Sequence, residues 1–139
     1  MNKTGTSSDI SPSLAYDDAA TAIDWLCRVF GFTRRLVVPG PDGTVMHSEL
    51  SLGSGVVMVS SPKADIGHMS PRQSNGATAN VSVYVADPDA HHASSVAAGA
   101  TIIRPLRDEE YGARGYGVAD LEGHRWWFGN YRPGAYWDQ

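Results

Sequence analysis

An α+β fold of two paired βαβββ modules is predicted by three features of this sequence. Residues 17–31 and 87–99 read as one unit written twice: an acidic start, an amphipathic helical stretch and a terminal glycine. Each unit is followed by strand-like sequence that closes in a tight glycine turn. The helix-ending Gly31 and Gly99 are separated by the same interval as the turn glycines Gly55 and Gly123. A repeated unit does not bury its apolar face alone, so the two copies are expected to pair and to leave a seam or cavity between them. That cavity is where function is expected.

Residues 1–9, rich in Ser and Thr, are expected to form a disordered tail, and residues 10–16 a first strand. Asp17 or Asp18 then caps a helix whose apolar stripe is Ala19, Ala22, Ile23, Leu26, Cys27 and Phe30, spaced to occupy one side at 3.6 residues per turn. Gly31 supplies its left-handed end. Residues 32–38 read as a strand, 39–43 as a turn of Pro, Gly and Asp, 44–52 as a second strand, and 53–55 as a turn into a third at 56–60. Residues 62–78 carry Pro, Gly, Ser and Asn without periodicity and read as a connector. In the second module, the strand at 80–85 sets Val81, Val83 and Val85 against Asn80, Ser82 and Tyr84 on its other face. A helix at 88–98 follows, with Pro88 in the first turn, where its missing N–H is not needed. Strands at 101–104, 115–119 and 124–130 complete the set, with 120–123 as the last hairpin turn. The expected organisation is a single domain over 10–131, with module one at 10–61, the connector at 62–78, module two at 79–131 and a C-terminal tail at 132–139.

Hydrophobic residues make up 42% of the 139, enough for one compact core. The formal net charge of -4, with both signs interspersed, lacks the basic excess that displaces counterions from phosphate, so no nucleic-acid partner is expected. One cysteine excludes an internal disulfide framework and a cysteine-based zinc site. The N-terminus lacks the apolar core of a signal peptide and no run approaches membrane-spanning length, so no membrane partner and a cytoplasmic location are expected.

Four stretches carry a family resemblance: YDDAATAIDWLCRVFGF at 16–32, VMHSEL at 45–50, VYVADPDAHHASSVAAGA at 83–100 and ADLEGHRWWFGN at 119–130. Together they make the chain, from residue 10 to about 131, resemble the vicinal oxygen chelate superfamily. That superfamily contains glyoxalase I, extradiol dioxygenases, fosfomycin-resistance thiol transferases and bleomycin-resistance proteins. The resemblance is nearest to its small glyoxalase-like and bleomycin-resistance-like branch. It implies sheets curled around a cavity, commonly completed in a homodimer, and one scaffold that hosts several chemistries and some pure binders. Metal-using members place His, Gln or Glu at the start of the first strand of each module and Glu on the last strand of each. Those positions fall here on Ser11, Asn80 and Trp127, and residues 55–61 offer no carboxylate for the remaining one. Ser and Asn are weak neutral donors and an indole has no available lone pair, so no metal and no other cofactor is expected.

His47 and Glu49, two apart on a strand, are expected to share a face and to point into the cavity. A histidine oriented by a carboxylate suits general acid–base work near neutral pH, and the same pair suits a plain structural or ligand hydrogen bond. Trp126 and Trp127 must face opposite sides of their strand; register assigns Trp127 to the cavity with Arg125, where an indole and a guanidinium favour flat aromatic or anionic ligands, or where the indole fills a closed core. Asn80, Ser82, Tyr84 and Tyr116 join these as candidate ligand-binding residues, and His68 and Tyr116 as residues able to lid the cavity. His91 and His92 point about 100° apart on a helix and read as a solvated face rather than a metal pair. Cys27, on the apolar stripe, reads as inert.

These features point first to a homodimeric small-molecule binder, sequestering an aromatic or heterocyclic compound as bleomycin-resistance proteins do, a form of antibiotic resistance. The alternative is a glyoxalase-like lyase or isomerase working without metal, with His47 as base and Glu49 as its orienter. A metal dioxygenase or thiol transferase is disfavoured by the ligand count.

Overall fold

The computed structural model describes residues 7–137. The tail expected at 1–9 lies outside the described residues for 1–6; residues 7–9 are exposed and irregular. The chain runs β1 (Ser13–Ala15), α1 (Ala19–Trp25) continued by a π-helical turn (Leu26–Phe30), β2 (Thr33–Pro39), β3 (Val45–Leu52), β4 (Gly55–Ser60), α2 (Pro71–Ser74), β5 (Asn80–Tyr84), α3 (Pro88–Ala97), β6 (Thr101–Asp108), β7 (Arg114–Ala119) and β8 (Arg125–Gly129). The strands form two four-stranded sheets, ordered β1-β4-β3-β2 and β5-β8-β7-β6. In each, the first strand pairs parallel with the last and the other pairs are antiparallel. The βαβββ unit therefore occurs twice with one topology, as the repeated glycines predict.

Local signals behave alike in the two copies. Asp18 accepts the Thr21 N–H at 3.1 Å and Asp87 the Ala90 N–H at 3.1 Å, each satisfying one of the free donors that open a helix. Gly31 and Gly99, at φ 88° and 81°, take the left-handed conformation that ends each helical stretch with no penalty from a Cβ. The stripe Ala22, Ile23, Leu26 and Phe30 is fully buried. Phe30 meets Phe128 (4.7 Å between ring centroids) and Trp126 (5.4 Å), and Phe32 meets Trp126 (5.5 Å), all edge-on, so the end of the first helical stretch reaches the sheet of the second module while α1 itself lies on β3 and β4 of its own. One core thus serves both modules. Among the described residues no helix is long and apolar enough to cross a membrane.

A second tie between modules is polar. The turn joining β7 to β8 carries Asp120 and Glu122, both buried. Asp120 accepts the Tyr16 hydroxyl at 2.5 Å, the Trp126 indole N–H at 2.9 Å and the backbone N–H groups of Glu122, Gly123 and His124. Glu122 accepts the N–H groups of Asp17 (2.7 Å) and Asp18 (2.9 Å), donors just ahead of α1 that no helix bond satisfies.

Several boundaries differ from expectation for identifiable reasons. β1 is short because Pro12 has no N–H to donate, although its carbonyl still accepts from Met58. β6 runs four residues past the expected end at Arg104, through Pro105, which is tolerated because β6 is an edge strand with a register shift between Arg104 and Arg107. The connector contains a 3-10 turn at Ala64–Ile66 and an α-helical turn, α2, with Pro71 at its start and the buried Ser70 as cap; Ser70 also donates to Asp17 at 2.7 Å. His91 is not on a solvated face. It stacks on Phe128 (4.0 Å), its Nε2–H donates to the Phe30 carbonyl left free at the end of the π-helical turn (2.9 Å), and its Nδ1 accepts the Tyr116 hydroxyl (2.6 Å). His92 points elsewhere, edge-on to Tyr116.

Candidate functional site

Strand alternation gives each sheet a face packed on the helices and a face turned away. In the second sheet Val81, Val83, Tyr116, Val118, Trp126 and Phe128 pair across strands on the packed face. Asn80 pairs with Arg125, Ser82 with Trp127 and Tyr84 with Gly129 on the other. The adjacent tryptophans therefore split as the register requires: Trp126 is fully buried, and Trp127 lies on the open face with Asn80, Ser82, Tyr84 and Arg125.

That open face is hollowed by glycine. Gly115 and Gly117 on β7 and Gly129 on β8 leave no side chains beside Trp127, and a methyl group placed on Gly117 would stand 2.5 Å from Trp127 Cζ3. The indole lies directly on the Gly117 backbone. Arg104, paired with Gly117 on the neighbouring strand, sets its guanidinium 5.1 Å from the Trp127 ring centroid and donates to Glu109 at 2.9 Å. The result is a cleft of about 440 Å³, within the size range of small-molecule sites, lined by Asn80, Ser82, Arg104, Glu109, Tyr111 and Trp127 among others.

Other sequence candidates fall elsewhere. Tyr84 borders a second groove of about 390 Å³ between β5 and the β3–β4 hairpin, with Phe32, Leu52 and Val56. Arg125 and His68 border a third of about 250 Å³ beside His124, and the His68 Nε2 stands 3.5 Å from the Ser13 hydroxyl. Burial lowers the His68 pKa, helped by the nearby Lys63 and His124. Tyr116 is a correction: it does not lid a cavity but is buried on the helix side, bonded to His91 and to Ser95 (2.7 Å), and burial pushes its hydroxyl up to about 12. Its strand alternates Gly-Tyr-Gly, so the glycines, not the tyrosine, take the open face. His47 and Glu49 do share a face, with Nε2 and Oε2 2.7 Å apart, on the side of the first sheet turned from the helices. Neither borders any of these three clefts. Cys27 is half-buried, and its thiol pKa is raised by burial. Arg104, Glu109 and Tyr111 escape sequence reading because β6 is expected to stop at Arg104; an extended strand through Pro105 is the signal that brings them to the site.

Comparison with known proteins agrees with the fold. The family model of the Glyoxalase/Bleomycin resistance protein/Dioxygenase superfamily matches residues 10–128, and the chain belongs to that superfamily. It is similar to an uncharacterized protein of Mycobacterium bovis, 37% identical over 123 residues that span 86% of this chain and 81% of the relative. Among solved structures it is similar to TioX from Micromonospora sp. ML1, 41% identical with a TM-score of 0.71, covering 88% of this chain and 94% of TioX. A superfamily member from Sphaerobacter thermophilus shares the fold at 17% identity, with a TM-score of 0.72 and coverage of 88% of this chain and 96% of that one.

The divalent ion used by some members of the superfamily does not fit the residues here. Of the positions that the resemblance assigns, Ser11 lies just ahead of β1, Asn80 opens β5 and Trp127 lies on β8, where it pairs with Ser82 as Met58 on β4 pairs with Ser13. Hydroxyl, thioether, amide and indole groups supply neither charge nor a strong lone pair. Among the described residues no group of three His, Cys, Asp or Glu side chains is close enough to hold an ion. Elemental analysis of dialysed protein is expected to find no stoichiometric Zn, Ni, Mn or Fe. One tightly held ion per chain would overturn this assignment.

Proposed function

We propose that the protein is a binder of flat aromatic or heterocyclic small molecules, which it sequesters in the Trp127 cleft. The observation that carries this reading is the indole laid on the Gly117 backbone with the Arg104 guanidinium over its ring, in a cleft that Gly115 and Gly129 also line. Aromatic and Arg side chains that are already oriented lose little rotamer freedom on binding, and Asn80 and Ser82 supply hydrogen bonds at the rim. The functional unit in this reading is the domain at 10–131, cytoplasmic, acting as a homodimer. Leu36 and Val38, 44% and 36% exposed, lie across from Glu49 and His47 on the open face of the first sheet, and a second copy would cover them.

Calorimetric titration with a panel of aromatic compounds tests the reading. Trp127→Ala is expected to weaken binding by roughly 1–3 kcal/mol, the usual worth of one stacked ring. Gly117→Ala should act in the same direction by displacing the indole, and His47→Ala should change affinity by no more than about one hydrogen bond, 0.5–1.5 kcal/mol. Each bound compound should be recovered unchanged. Affinity indifferent to Trp127 would sink the proposal. The short His47–Glu49 bond supports the second reading, an acid–base lyase or isomerase; in that case the wild type exchanges a substrate proton with solvent deuterium and His47→Ala loses the exchange.

A further inference from the structure

The residues after β8 fold back onto the open face instead of leaving it. Asn130 is fixed to β7 twice, its N–H donating to the Arg114 carbonyl (3.0 Å) and its Oδ1 accepting the Arg114 N–H (2.7 Å). The Arg132 guanidinium lies 3.8 Å from the centroid of the Tyr84 ring, which ties the segment to β5. Beyond it the Ala135 N–H donates to the Arg132 carbonyl and Gly134, at φ 90°, turns the chain back. The turn stacks Tyr136 on Tyr131 (5.6 Å, 18° between planes), and Tyr131 meets Tyr111 edge-on (5.3 Å, 71°).

These three rings are 43–63% exposed, so they are not core. They wall a cavity of about 610 Å³ that shares Tyr111, Ala113 and Tyr131 with the Trp127 cleft. Two hollows with one common wall, each offering an oriented aromatic face, can be spanned by a single molecule. Planar rings are the chemistry that such faces select, because stacking and edge contacts add to the burial of area.

We propose that the Tyr111, Tyr131 and Tyr136 cluster is a second aromatic subsite, and that the ligand is a small molecule with two separate ring systems, one on Trp127 and one on the tyrosines. The inference rests on the reading of the Trp127 cleft as the ligand site. It makes the C-terminal segment a determinant of specificity, since only a two-ring ligand reaches it.

Isothermal titration with 4-hydroxycoumarin, which has one ring system, and dicoumarol, which has two of the same joined by a methylene, tests it. Wild-type protein is expected to bind dicoumarol about tenfold more tightly, well above the twofold that two equivalent rings give statistically. Tyr136→Ala, which does not border the Trp127 cleft, should remove most of that advantage while leaving the 4-hydroxycoumarin Kd within about twofold, and Tyr136→Phe should retain it, because stacking needs the ring and not the hydroxyl. Trp127→Ala should weaken both compounds. Equal affinity of the two compounds for the wild type, or a Tyr136→Ala variant that weakens both alike, would overturn the second subsite and leave the Trp127 reading standing. Binding of neither compound at millimolar concentration would overturn both.

Discussion

Asp120→Ala is expected to destabilise the protein by about 3–5 kcal/mol, the cost of breaking a buried charged network by removing one partner. The carboxylate is the shared acceptor for the Tyr16 hydroxyl and the Trp126 indole, both on fully buried side chains, and for three backbone N–H groups of its own turn. Alanine leaves these donors in a space from which water is excluded. A domain of this size has roughly 5–15 kcal/mol of total stability, so the urea midpoint should fall by about a fifth or more with the slope unchanged. Asp120→Asn keeps one acceptor oxygen and should lose clearly less. A midpoint for Asp120→Ala within error of wild type would mean that the network is relieved in a way the structure does not contain.

The pH dependence of stability should show two flanks with separate causes. Burial, and then the neighbouring Asp120 charge, hold the Tyr16 hydroxyl well above its ordinary value of 10, and burial holds Tyr116 at about 12. The folded state prefers the neutral phenols, while in the unfolded chain they ionise near 10. Their contribution is therefore complete below pH 10 and is lost as the pH rises through about 12 for Tyr116 and through the raised folded value for Tyr16. On the acid side, burial holds the His91 imidazole below 6.5, so the folded state prefers it neutral. That contribution is present above pH 6.5 and is lost as the pH falls through the lowered folded value. The urea midpoint should be flat from about pH 7 to 9 and decline on both sides. Spectrophotometric titration should find two of the six tyrosines silent until the protein unfolds, and Tyr116→Phe should flatten part of the alkaline flank. Six tyrosines ionising together near 10 with the fold intact would contradict the assignment.

The architecture was legible because its signals are local. Helix period, Asp caps and left-handed glycines repeat within short windows, and strand alternation alone separates Trp126 from Trp127 correctly. What alternation cannot supply is the identity of whatever covers a face. It places His47 beside Glu49 but does not decide whether a cleft lies against them. It assigns Tyr116 a side only through knowledge of where the neighbouring glycines open space. His91 looked solvated because the carbonyl and ring that enclose it belong to Phe30 and Phe128, distant in sequence. Arg104, Glu109 and Tyr111 were lost at Pro105, where a local breaker signal is overridden by an edge position that only the assembled sheet defines.

The acidic turn between β7 and β8 has a consequence for the order in which a nascent chain acquires structure. The N–H groups of Asp17 and Asp18 and the Tyr16 hydroxyl find their acceptors 104 or 105 residues further along the polypeptide. The His124 Nε2–H that donates to the Ala15 carbonyl is 109 residues from it. While a ribosome is still adding the second module, the first has neither these partners nor the aromatic wall that Phe30 and Phe32 pack against. The first helix can settle on β3 and β4 of its own sheet, but the seam between the modules closes only once the last hairpin has emerged, which makes completion of the shared core a late event that joins both repeats.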